Sequence, residues 1–162
     1  MDLQITIDPL RSPEIAALLR EHLDEMRSIS PPESVHALEL SRLRVPDVTF
    51  WSAWHGEVLV GCAALRELDG WHGEVKSMRT VAAYRGRGVA SALMRHLLDE
   101  ARQRGYRRLS LETGSQPEFA PARALYRRFG FAACGPFAHY TEDRCSAFMT
   151  RALPDLHNGE PL

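Results

Sequence analysis

The sequence predicts a mixed α/β fold in which helices cover the faces of a central sheet. Three observations carry this. Apolar residues alternate at every second position in several short runs, they recur at helical spacing in longer ones, and the two kinds of run succeed one another along the chain. The 162 residues are 44% hydrophobic and 25% charged, the proportions of a globular chain. A chain of this size buries roughly 70% of the surface its unfolded form exposes, so its core needs neither disulfides nor metal. No internal repeat or low-complexity tract divides it. Residues 1–153 are expected to form one domain, followed by a flexible tail over 154–162, which is polar and carries Pro154 and Pro161.

The elements follow in order. Residues 3–7, L-Q-I-T-I, alternate and stop at Asp8-Pro9, giving a first strand. Ile15, Leu18, Leu19, Leu23 and Met26 then share one helical face, with Ser12 as N-cap and Pro13 at the first helical position. Ser30-Pro31-Pro32-Glu33 has the S-x-x-E form of a capping box and is expected to start a second, shorter helix, the region ending at Pro46-Asp47. Residues 48–54 and 58–65 read as a hairpin around His55-Gly56-Glu57, and a third strand runs over 73–80. After Arg85-Gly86-Arg87-Gly88 comes the most strongly patterned helix, with Ala90, Leu93, Met94, Leu97, Leu98 and Ala101 on its apolar face and Gly105 as its stop. Residues 107–112 form a strand, 120–129 a helix, and 131–134 and 146–151 the last two strands. The predicted order is β-α-α-β-β-β-α-β-α-β-β.

Twenty Lys and Arg against twenty-one Asp and Glu leave a net charge of −1, so no overall basic field favours nucleic acid or an anionic membrane. Many of the arginines nevertheless fall between Arg79 and Arg128, which suits a local anionic ligand. Cys62, Cys134 and Cys145 lack C-x-x-C spacing and sit among apolar or small residues; they are expected to be reduced and buried, consistent with a cytoplasmic location. The N-terminus has no basic stretch followed by an apolar one, and no apolar run approaches the length of a membrane span. No His, Cys or Asp cluster has metal-ligand spacing, so no metal is expected.

The informative segment is the glycine-rich turn between the third strand and the long helix. Backbone N–H groups at a helix start have no intrahelical partner and lie at the positive end of the helix dipole, an arrangement suited to phosphate. Gly86 and Gly88 permit positive φ and close approach of a ligand, although the same glycines would serve a plain tight turn. The dinucleotide fingerprint G-x-G-x-x-G fails at Ser91, and the P-loop pattern is absent.

Arg85-Gly86-Arg87-Gly88-Val89-Ala90 resembles the R-x-x-G-x-[GA] signature of the GNAT superfamily of N-acetyltransferases. Ala122-Arg123-Ala124-Leu125-Tyr126-Arg127-Arg128-Phe129-Gly130-Phe131 is similar to that family's A-x-x-L-Y-x-x-x-G-F segment. The stretches over 30–38, 76–80 and 111–114 further resemble a bacterial subgroup of small GNATs of the YsnE type.

The resemblance implies a mixed, mostly antiparallel sheet flanked by helices, acetyl-CoA as co-substrate, and an acetyl-CoA-dependent N-acetyltransferase (acyltransferase) activity. It implies that Met78, Arg79 and Thr80 pair their backbone with the pantetheine arm, and that the loop N–H groups of Arg85, Gly86, Arg87, Gly88, Val89, Ala90 and Ser91 hold the pyrophosphate. Two positions depart from the family pattern: Ala82 replaces a common proline, and Phe119 an asparagine, which puts in doubt a polar contact from that helix start.

Acetyl transfer to an alkylamine needs a base, because with a pKa near 10.4 only about one molecule in a thousand is neutral at pH 7. Glu74 stands where many GNATs place that base, with Glu112 as competitor. Glu74 also reads as an exposed strand residue facing Lys76 or solvent. An N–H near Thr80 would receive the oxyanion, and Tyr126 matches the tyrosine that protonates the departing thiolate.

At the acceptor end Glu33, Ser34 and His36 are candidates, with Tyr140, Glu142 and Asp143 from the last loop. Phe50, Trp51, Trp54 and Trp71 would either line an apolar acceptor cavity or fill the core. The expected acceptor is a small-molecule or amino-acid-like primary amine. Protein or peptide acetylation and a catalytically silent CoA-binding module are the alternatives, and the family's habit makes a homodimer possible.

Overall fold

A computed structural model of the chain describes residues 1–38 and 40–154; the tail expected over 154–162 lies, beyond Pro154, outside the described residues. The strands are β1 (Gln4–Ile7), β2 (Val48–His55), β3 (Val58–Asp69), β4 (His72–Thr80), β5 (Arg108–Gly114), β6 (Ala132–Cys134) and β7 (Ser146–Ala152). The helices are α1 (Pro13–Ile29), α2 (Leu40–Leu43), α3 (Val89–Gln103) and α4 (Ala120–Arg128). The order is the one the sequence predicts. The strands join in one seven-stranded sheet, β1-β2-β3-β4-β5-β7-β6, in which only β4 and β5 run parallel.

Two helices sit on each face. Ile15, Leu18 and Leu19 of α1 and Leu43 of α2 pack with Phe50, Leu59, Cys62 and Ala64 on one side. Leu93, Met94, Leu97 and Leu98 of α3, with Leu125 and Tyr126 of α4, pack with Ala63, Leu65, Val75 and Leu111 on the other. β3 is therefore covered on both faces, which is why its central run Val60–Leu65 carries no charged residue. Each fully buried Leu, Ile or Met contributes on the order of 2 kcal/mol.

The local signals work as expected at the helix ends. Ser12 Oγ accepts from the Ile15 N–H at 3.2 Å, with Pro13 at the first helical position. α3 and α4 both close in Schellman motifs. Tyr106 N–H reaches Ala101 O and Phe131 N–H reaches Tyr126 O, each at 3.0 Å, with Gly105 at φ 79° and Gly130 at φ 87°. The second motif explains why Gly130-Phe131 follows this helix: the glycine turns the chain and Phe131 enters the core.

The capping box at Ser30 does not form. Ser30 instead ends α1, its N–H bonded to Met26 O, and the two prolines hold the chain extended into a single 3₁₀ turn over Pro32–Ser34. α2 starts only at Leu40. Phe50 and Trp51 belong to the core, Trp54 packs against it, and Trp71 is half exposed, so none of the four lines an acceptor cavity. All three cysteines are free, but only Cys62 is buried; its thiol donates to the Ser77 carbonyl, and burial pushes its pKa up to about 12. Among the described residues no helix is long and apolar enough to cross a membrane.

Candidate active site

β4 and β5 pair only from His72–Arg108 to Val75–Leu111. Beyond that rung β4 continues to Thr80 paired with β3, and β5 continues to Gly114 paired with β7. The two inner edges separate, and a cleft of about 600 Å³ opens between them. α1 and the segment after it form one rim, the turn into α3 another, and α4 closes the far side.

A bulge in β4 sets which side chains enter. Cys62 pairs with Arg79 and Ala64 with Lys76, so Ser77 and Met78 together oppose Ala63, and Ser77 takes φ 51°. The extra residue shifts the alternation. Arg79 consequently turns toward α1, where its guanidinium meets Glu25 at 2.5 Å and Glu21 at 3.1 Å. The Met78, Arg79 and Thr80 backbone remains on the cleft wall.

At the mouth, Gly86 (φ 73°) and Gly88 (φ 86°) curl the chain into α3. Gly88 is the N-cap and offers no side chain, so the first N–H groups of α3 stay uncapped and aim at the cleft. Ala82–Tyr84 forms a 3₁₀ turn without the usual proline. Arg85, Gly86, Gly88, Val89, Ala90 and Ser91 line the cleft, with Arg85 largely exposed and 3.6 Å from Glu25. Arg87 does not line it; its guanidinium lies 4.7 Å from the Tyr84 ring centroid. Phe119, in place of the family's asparagine, brings an aromatic ring to the wall over Gly114.

Deeper in, Glu74, Glu112 and Tyr126 all line the same space. Glu74 is 1% exposed, so it faces Lys76 and not solvent. Its carboxylate accepts from Tyr140 Oη at 2.5 Å and lies 3.5 Å from Lys76 Nζ, which also donates to Tyr140 Oη at 2.9 Å and to the His36 carbonyl at 3.3 Å. Glu112 accepts from Ser146 Oγ at 2.6 Å; burial raises its pKa to about 7 against the lowering pull of Ser146 and Lys76. Burial, then the Glu112 charge, raises Tyr126 to about 12, keeping its phenol protonated.

Of the acceptor candidates, His36 lines the cleft edge-on to Tyr140 at 5.0 Å between centroids, and burial and Lys76 lower its pKa. Glu33 points outward from the 3₁₀ turn and does not line the cleft; the side chain that turns in beside it is Ser34, whose hydroxyl donates to Asp143 at 2.6 Å. Sequence reasoning missed Ser146, His22 and Glu25. The last two follow Leu18 and Leu19 on α1 by one helical turn or two, a spacing that could have placed them on the inner face. Among the described residues no three His, Cys, Asp or Glu side chains cluster as a metal site.

The model of the acetyltransferase (GNAT) family matches residues 15–131, and the chain belongs to that family. It is 55% identical over 151 residues to the uncharacterized N-acetyltransferase YsnE of Bacillus subtilis, covering 93% of this chain and 100% of that one. It is 50% identical to the uncharacterized N-acetyltransferase YedL of Escherichia coli, over 92% of this chain and 94% of that one. The fold is shared with a Bacillus subtilis acetyltransferase solved in complex with CoA, at TM-score 0.72 and 16% identity, over 94% and 100% of the two chains.

Proposed function

We propose that the cleft binds acetyl-CoA and transfers its acetyl group to the primary amine of a small-molecule or amino-acid-like acceptor by direct attack in a ternary complex. The observation that carries this reading is the opening of the sheet beyond Val75 and Leu111, directly under the uncapped start of α3. The chain's membership of an acetyltransferase family supplies the reaction class.

The residues fit the cofactor. Free N–H groups at a helix start, approached through two left-handed glycines, suit a pyrophosphate, and the exposed Arg85 guanidinium adds positive charge at the cleft mouth. Among the described residues the inner edge of β4 from 76 to 80 has no strand partner, so an extended pantetheine arm can pair with it as an added strand. Acetyl-CoA brings an activated thioester. The protein's part is to hold it, exclude water, receive the oxyanion on a backbone N–H near Thr80, remove a proton from the acceptor, and return one to sulfur.

Tyr126 suits the return of a proton to sulfur, being buried in the cleft wall and protonated at every working pH. Glu74 and Glu112 are the two carboxyls placed to act on the amine. His36 and Ser34 border the space left for the acceptor, and Tyr140 packs against His36 from outside it. Calorimetric titration with CoA, followed by thiol release from acetyl-CoA across an amine panel, tests the reading. Tight CoA binding without amine-dependent thiol release would contradict it.

A further inference from the structure

We propose that Glu112 takes the proton from the acceptor's ammonium, that Ser146 is the positioning residue for its carboxyl, and that Glu74 is a fixed part of the wall. The inference rests on reading the cleft as an acetyl-transfer site.

The two carboxyls differ in what they already hold. Glu74 sits in a closed network: Tyr140 donates to it, Lys76 neutralises it, and Lys76 is itself fixed by Tyr140 and the His36 carbonyl. An arriving ammonium would compete there with a buried cation already in place. Glu112 has no cation within ion-pair distance among the described residues; it holds one hydrogen bond, from Ser146 on β7. Its position follows from topology. It is the first β5 residue beyond the last rung with β4, where the two strands separate.

Its surroundings suit a general base. The groups that face it are Lys76 and Glu74 from β4, Asp143 from the loop before β7, Ser146 on β7 and Tyr126 from α4. Burial outweighs them and leaves a carboxyl that loses its proton near neutrality, the condition for efficient general base catalysis at pH 7. Tyr126, which feels its charge, stands ready on the far side of the same space.

In the transfer, one proton passes from R–NH₃⁺ to the Glu112 carboxylate, and the nitrogen lone pair forms the C–N bond to the thioester carbonyl. The C–S bond breaks and its electron pair leaves on sulfur, which takes the Tyr126 proton. The nitrogen's second proton restores the Tyr126 phenol, and Glu112 releases the first to solvent.

The test compares two probe amines, ethylamine, which is protonated at pH 7, and hydroxylamine, which is mostly neutral there. With E112Q, thiol release from acetyl-CoA should fall about 100-fold or more for ethylamine and only a few-fold for hydroxylamine. E74Q should lower both alike, and S146A should move the acid limb of the ethylamine profile to higher pH. Equal loss for both amines in E112Q, or an unchanged ethylamine rate, would overturn the proposal. If wild type uses neither amine, carbon-13 NMR of glutamate carboxyls in the CoA-saturated protein decides. A carboxyl titrating near neutrality that vanishes in E112Q and rises in S146A supports the assignment; titration in the ordinary carboxylate range overturns it. Absence of CoA binding by wild type would instead overturn the reading of the cleft itself, and this assignment with it.

Discussion

Val75 and Leu111 form the last rung of the parallel pairing between β4 and β5, and the sheet opens immediately beyond them. Both side chains are buried in the core under α3 and α4. The rung therefore fixes where the strands part, and so where Glu112 and Tyr126 come to line one cleft.

The turn into α3 should be sensitive to charge more than to bulk. A Cβ at Gly88 would meet nothing within 4 Å, but φ 86° would cost an L-residue roughly 1–2 kcal/mol. Gly88→Ala is expected to lower stability by about that amount and to weaken CoA binding modestly. Gly88→Asp places a carboxylate against the proposed pyrophosphate site and should abolish binding, as read by calorimetry with CoA.

Tyr126→Phe should lower turnover by about 100-fold or more while leaving CoA affinity within a few-fold. Because the phenol stays protonated up to about pH 12, the wild-type rate should show no basic limb from this group below pH 10. Unchanged turnover in the variant would remove the acid role.

Lys76 neutralises a carboxylate that is almost wholly buried. Lys76→Met strands Glu74 without its cation and should destabilise the fold by about 3–5 kcal/mol in urea unfolding. Adding Glu74→Gln to that variant should recover much of the loss, since the uncompensated charge is then gone.

Two buried groups give stability opposite pH slopes. Glu112 titrates near 7 in the folded chain against 4.5 ordinarily, so the folded state holds the extra proton between those values and stability falls as pH rises through them. His22, lowered from 6.5 to about 4 by burial and Arg79, holds fewer protons when folded, so its contribution is present above 6.5 and is lost as pH falls toward 4. Between pH 4.5 and 6.5 these two contributions should largely offset one another in wild type, with His36 and His72, whose pKa values burial also lowers, adding to the His22 direction. Glu112→Gln should expose the rise due to His22, up to about 3 kcal/mol, in urea midpoints measured across that range.

The order of elements was legible because the local signals and the packing agree. Ser12-Pro13 starts α1, Gly105 and Gly130 stop α3 and α4, and the alternating runs become strands. Gly86 and Gly88 marked the turn into α3, because their part is a backbone one. The site's interior was less legible. Glu74 meets Tyr140 across 66 residues, and Ser34 meets Asp143 across 109, contacts that no local spacing encodes. The bulge at Ser77 that sends Arg79 toward α1 has no glycine to mark it, and Pro31-Pro32 turned an apparent capping box into a helix end.

The most direct test of acetyl transfer in this cleft is free-thiol release from acetyl-CoA by the wild-type chain, measured with and without a panel of primary amines. Saturable release that depends on the amine and yields the acetylated product in equal amount is the predicted result. CoA binding with no amine-dependent thiol release would contradict it.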